Sequence, residues 1–181
     1  MRALLILNPQ NDYFPGGPLG VKDASKVVAN INKAILHFNT VFATRNWFPE
    51  DSVHFSELPP HCVKETEGAL FHEDLITRKF KRIIDKGTNQ SDPELSAFKI
   101  KNNGLLAELE DLQINELYIA GFSTEYDVLQ SALDAAQFGI KTFVFQDAIA
   151  SINTNPGDRE KAIETLTNNG VLLVSTKTLF L

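Results

Sequence analysis

Six short runs of apolar residues, at 3–7, 40–44, 82–84, 117–120, 142–145 and 171–174, punctuate the chain. Each has the length of a strand, and each is close to continuous rather than alternating, which is the mark of a strand buried on both faces. Between several of them apolar residues recur at helical spacing. In the span 24–38, Val27, Val28, Ile31, Ala34, Ile35 and Phe38 share one face. Leu105, Leu106, Leu109 and Leu112 form a second stripe, and Val128, Leu129, Ala132, Leu133 and Ala136 a third within 126–138. A fourth, weaker helix over 159–168 is entered through Asn155-Pro156-Gly157-Asp158 and ended by Asn169-Gly170. Buried strands alternating with amphipathic helices predict an α/β fold. The expected architecture is a doubly wound, about six-stranded parallel sheet with helices on both faces, a Rossmann-like three-layer arrangement over residues 1–181 as one domain.

In such a sheet ligands bind beyond the carboxyl ends of the strands, so the chemistry is expected just after Leu7, Thr44, Ile84, Ala120 and Phe145. The span 46–71 is long for an irregular connection, and long loops at that end of a sheet are often functional. Composition narrows the partners. A net charge of -6 without any basic run speaks against a nucleic-acid surface. The apolar stretch at 3–7 is too short for a signal-peptide core, and nothing approaches a membrane span. The single cysteine, Cys62, cannot form an internal disulfide, which suits a reducing cytoplasm. A small neutral or cationic ligand, or a protein partner, is expected, and a homo-oligomer is compatible with this composition.

The segments after the strands carry the chemical information: Asn8-Pro9-Gln10-Asn11-Asp12-Tyr13-Phe14 after the first, and Asn46-Trp47-Phe48-Pro49-Glu50-Asp51-Ser52-Val53-His54 after the second. His61-Cys62-Val63 and Phe71-His72 follow. Asp85-Lys86-Gly87 closes the third strand, and Gly121-Phe122-Ser123-Thr124-Glu125-Tyr126-Asp127 the fourth. Together, and in this order, they resemble the nicotinamidase/pyrazinamidase branch of the isochorismatase-like cysteine hydrolases, over nearly the whole chain.

The resemblance implies that fold and a defined set of catalytic positions. Family enzymes attack an amide carbonyl with a cysteine at the start of the helix after the fourth strand. An aspartate after the first strand takes the thiol proton, and a lysine after the third supports the pair, because the thiolate is the nucleophile. The lysine matches as Lys86, but the aspartate position is Asn8 and the cysteine position is Asp127. The resemblance also implies a cis peptide at Phe122–Ser123 beside an oxyanion hole, and Tyr13 as an aromatic pocket wall. It implies a divalent metal held by an aspartate and two histidines, with Asp51 and His72 as the outer matches. Ser52 stands at the middle histidine, and His54 is a substitute that an extended segment would point the same way as Ser52. An incomplete donor set predicts weak or absent binding of zinc, manganese or iron.

Asn8 and Asp127 read as a paired exchange that leaves one anion and one cation in the pocket. Asp127 is expected in the first helical turn after the capping candidates Ser123 and Thr124, paired with Lys86 directly or through water. Two functions compete. One is a binding or interaction protein for a ligand of nicotinamide-like size, without amidase activity. The other is an active hydrolase of a C–N amide or vinyl-ether bond that uses Asp127 and Lys86.

Overall fold

The computed structural model describes residues 1–100 and 103–180. All six expected strands form: β1 (Arg2–Leu7), β2 (Val41–Asn46), β3 (Arg82–Lys86), β4 (Glu116–Phe122), β5 (Lys141–Ala150) and β6 (Leu172–Val174). They make one parallel sheet in the order β3-β2-β1-β4-β5-β6, with Leu4 opposite both Val41 and Tyr118. The order reverses between β1 and β4, so the switch point of the doubly wound sheet lies where Asn8 and Phe122 emerge.

Period-two alternation divides the core. Leu4 and Ile6 face a layer built on α1 (Ala24–Ile35), whose inward stripe is Val27, Val28, Ile31, Ala34 and Ile35. Ala3, Leu5 and Leu7 face the opposite layer, which holds Leu105 and Leu109 of α2 (Leu105–Asp111), Ala132 and Ala135 of α3 (Leu129–Gln137), and Leu166 of α4 (Asp158–Asn168). No helix among the described residues is long and apolar enough to cross a membrane.

Three local features position the strand ends. Gly121 adopts φ +119°, and a Cβ there would lie 2.0 Å from the Leu7 carbonyl oxygen, so only glycine lets β4 close against β1 at the switch point. Strand β5 is longer than its apolar run because it bulges: Val144 pairs with Ile119 and Ile149 with Gly121, which leaves four residues of β5 opposite one of β4. The span 46–71 is not free loop. Short 3₁₀ turns at Val53–Ser56 and Glu67–Ala69 organise it, and isolated bridges tie Phe48 to Val63 and Phe71 to Gln10.

Candidate active site

The carboxyl ends of β1, β2, β3 and β4 contribute side chains to one buried centre. Lys86, the last residue of β3, is fully buried, and its Nζ contacts Asp127 Oδ1 directly while also donating to the Leu95 carbonyl at 3.2 Å. Asp127 is only 2% exposed, so this is an ion pair out of water. It does not sit in an ordinary helical first turn. Thr124–Val128 form a wide π-helical turn closed by Val128 N–H on the Ser123 carbonyl, ahead of α3. The expected side-chain cap is absent: Ser123 makes no capping bond and Thr124 Oγ1 has no partner. The backbone bond, rather than a hydroxyl, fixes the turn that directs Asp127 at Lys86.

Asn8, at the end of β1 with φ 48°, has both ends of its amide in use. Nδ2 donates to the Phe122 carbonyl at 3.1 Å, and Oδ1 accepts from Thr44 Oγ1 at 2.7 Å. The carbonyl of Phe122 dictates a donor at this position, which an amide supplies and an ionised carboxylate does not. The Phe122–Ser123 peptide is cis, as the family resemblance implied. Tyr13 stacks on Phe122 (centroids 5.5 Å apart, 17° between planes), and its hydroxyl accepts from Asn46 Nδ2 at 3.0 Å.

Asn46, Phe48 and His61, present in the segments after the strands but given no role there, also contribute. Asn46 stands at the end of β2 and leaves its Oδ1 buried without a partner. Phe48, His54 and His61 pack in a triangle with ring centroids 5.2 to 5.3 Å apart. His61 Nδ1 takes the Pro59 carbonyl at 2.8 Å, and its Nε2 is buried and unpartnered. The available signal was positional: β2 runs two residues past its apolar stretch, to Asn46.

The electrostatics of this cluster follow from burial. Burial pushes the His54 and His61 rings down, His61 from 6.5 to about 4, although the Asp127 carboxylate pulls both the other way. Burial, reinforced by Asp127, holds the Tyr13 hydroxyl well above its ordinary value. The Cys62 thiol is likewise pushed well up, by burial first and then by Asp12, whose Oδ2 accepts the Cys62 N–H at 2.6 Å. Cys62 is therefore a protonated thiol in the core and not a nucleophile.

A stability prediction follows for His61. Its folded-state value lies below its unfolded one, so between about pH 6.5 and 4 the unfolded chain takes up a proton that the folded chain refuses. Stability is complete above that window and falls through it, by up to about 3 kcal/mol for a shift of this size. Urea midpoints for the parent and for His61→Gln, compared at pH 7 and pH 4.5, measure this. The parent is expected to lose more than the variant on acidification, and equal losses would contradict the assignment.

The residues matched to a metal are not gathered in one place. Asp51 is exposed and accepts from Gln90 Nε2 at 2.7 Å. Ser52 caps the 3₁₀ turn by accepting from His54 N–H at 3.3 Å, so the segment is a turn rather than an extended strand, and His54 swings away into the aromatic cluster. His72 stacks on Phe14 with centroids 3.6 Å apart, beside Asp74. Among the described residues no group of three or more His, Cys, Asp and Glu side chains is placed to hold a metal ion. His54 and His61 alone fall short of the three protein donors zinc ordinarily takes. The side chains present do not fit the metal.

The isochorismatase domain model matches residues 2–178, and the chain belongs to that family of α/β hydrolases. Within it, the chain falls in the nicotinamidase/pyrazinamidase branch. The nicotinamidase/pyrazinamidase of Mycobacterium tuberculosis is 32% identical over 168 residues, covering 86% of this chain and 89% of that protein. The structure of a nicotinamidase/pyrazinamidase from Acinetobacter baumanii superposes with a TM-score of 0.93 at 30% identity, covering 98% of this chain and 97% of the other. A Pyrococcus horikoshii pyrazinamidase solved with zinc has a TM-score of 0.85 at 34% identity, covering 96% and 98%.

Proposed function

We propose that this chain is a non-hydrolytic member of the nicotinamidase branch, a pseudoenzyme that binds a small molecule of nicotinamide-like size in its buried centre. The observation that carries this reading is the Lys86–Asp127 ion pair: a carboxylate bound to lysine stands where the resemblance puts the nucleophilic thiol. Asn8, at the position of the proton acceptor, has its amide oxygen taken by Thr44 and its nitrogen facing a carbonyl. Neither residue can generate a thiolate, and Cys62 is protonated and engaged elsewhere. Two features favour a ligand. Asn46 Oδ1 and His61 Nε2 are buried polar atoms without partners, a state that costs about 1–3 kcal/mol each and that a small polar aromatic molecule relieves. Tyr13, Phe48 and Phe122 supply aromatic walls.

Calorimetric titration with nicotinamide and nicotinate, followed by recovery of the ligand, tests this directly. Saturable binding of a ligand recovered chemically unchanged supports the reading. Absence of binding overturns the first half, and release of ammonia the second. Zinc added in excess and then dialysed away is expected to leave far less than an equivalent bound. Near-stoichiometric retention would mean that His54 and His61 acquire further donors.

A further inference from the structure

A cavity of about 500 Å³ opens at the carboxyl end of β5, between that strand and the N-terminal end of α1. Its volume suits a small organic ligand. Three cationic side chains line it: Lys22, Lys26 and Arg159. Lys22 and Lys26 form no ion pair with any described residue, and Arg159 commits one nitrogen to the Gln146 carbonyl at 3.3 Å. Two carboxylates, Asp23 and Asp147, share the rim, so the lining cations outnumber the anions by one. Asp147 is turned onto Ser175 and Thr176, which donate to it at 2.7 to 3.2 Å. Asp23 precedes α1 without capping it.

The position of these charges adds to the argument. Lys26 lies in the first turn of α1, where no acidic residue is present, so a cation sits on the positive end of a 12-residue helix. That placement is unfavourable in isolation and becomes favourable when an anion occupies the space ahead of the helix. The chain as a whole carries a charge of -6, so a local excess of cations runs against its balance. Ser151, buried on the same wall, has its hydroxyl turned to the Glu125 carboxyl. Val21 and Ile152 give the cavity an apolar side, and both pack against the cluster that contains Tyr13 and Phe122.

We propose that this cavity binds the anionic group of a small organic molecule, a phosphate or a carboxylate, between Lys22, Lys26 and Arg159. The site stands on its own cations and volume, so an active hydrolase would carry it equally well, and its failure would leave the reading of the Lys86–Asp127 centre untouched.

Amide NMR spectra recorded at low ionic strength during titration with inorganic phosphate, and separately with a dicarboxylate, test the assignment. Saturable shifts confined to residues 20–27, 146–153 and 159 are expected. The double variant Lys22→Gln/Lys26→Gln should bind at least about tenfold more weakly, because two charge-assisted contacts are lost. Arg159→Gln should weaken binding independently, and Arg78→Gln, an exposed cation elsewhere, should not change it. Stronger binding of phosphate would assign a phosphorylated ligand, and stronger binding of the dicarboxylate a carboxylate one. Shifts that do not saturate with either anion, or lysine variants that respond like the parent, would overturn the proposal.

Discussion

Purified protein is expected to leave nicotinamide and pyrazinamide intact, at least about a thousandfold below the 1–10³ turnovers per second typical of enzymes. Amide hydrolysis needs a nucleophile, a group to take its proton, and a proton for departing ammonia. The centre offers Asp127 already bound to Lys86, and Asn8 with no basic atom to spare. When groups act as a set, removing one costs nearly as much as removing all, so partial survival of activity is not expected. Asp127→Cys alone should stay near background because Asn8 cannot accept the thiol proton. Asn8→Asp alone should destabilise the fold by about 1–3 kcal/mol, since a carboxylate would face the Phe122 carbonyl that now accepts from Nδ2. Ammonia release measured on the parent, both single variants and the double variant checks the series. Enzyme-like turnover by the parent would sink the non-hydrolytic reading outright, and an Asn8→Asp variant as stable as the parent would sink the account of Asn8.

Most of the architecture was legible because burial on both faces and helical amphipathicity are written into runs such as Leu4–Leu7 and the Val27-to-Ile35 stripe. The ends were less legible. Apolar periodicity stops at Thr44, Ile84, Ala120 and Phe145, yet the backbone ladders continue through Asn46, Lys86, Phe122 and Ala150. Polar residues that are buried at strand ends break the apolar pattern while remaining inside the sheet, and here they make the site. The Lys86–Asp127 contact could be anticipated from strand-end placement, because Lys86 closes β3 and Asp127 follows β4, both at the carboxyl end of the sheet. The donor set around Asp51 and His72 could not be read that way. A 3₁₀ turn at Val53–Ser56 replaces the extended geometry assumed for that segment, and it is His54 and His61, not Asp51 and His72, that approach Asp127. Nor does the sequence signal the cavity beside α1, whose cations come from the loop before one helix and the first turns of two.

Breaking the buried ion pair should be the most damaging single change to stability. Lys86→Met would leave the Asp127 carboxylate buried without its cation, a change that typically costs about 3–5 kcal/mol. That is a large share of the roughly 5–15 kcal/mol by which a domain is stable. The loss has a specific origin, because two charges taken out of water are tolerated only while each satisfies the other. Replacing both should therefore restore most of it. Lys86→Met with Asp127→Leu removes the desolvation of two ions together with their attraction, and such exchanges are often neutral or stabilising. A residual deficit of about 1 kcal/mol is expected because the Leu95 carbonyl also loses its donor at Lys86 Nζ. Urea unfolding of the parent, the two single variants and the double variant forms a complete cycle, with the coupling read from its non-additivity. A strongly favourable coupling, with the double variant more stable than Lys86→Met alone, is the expected pattern. If the effects simply add, the two side chains do not depend on each other, and the ion pair is not what holds the closed centre together.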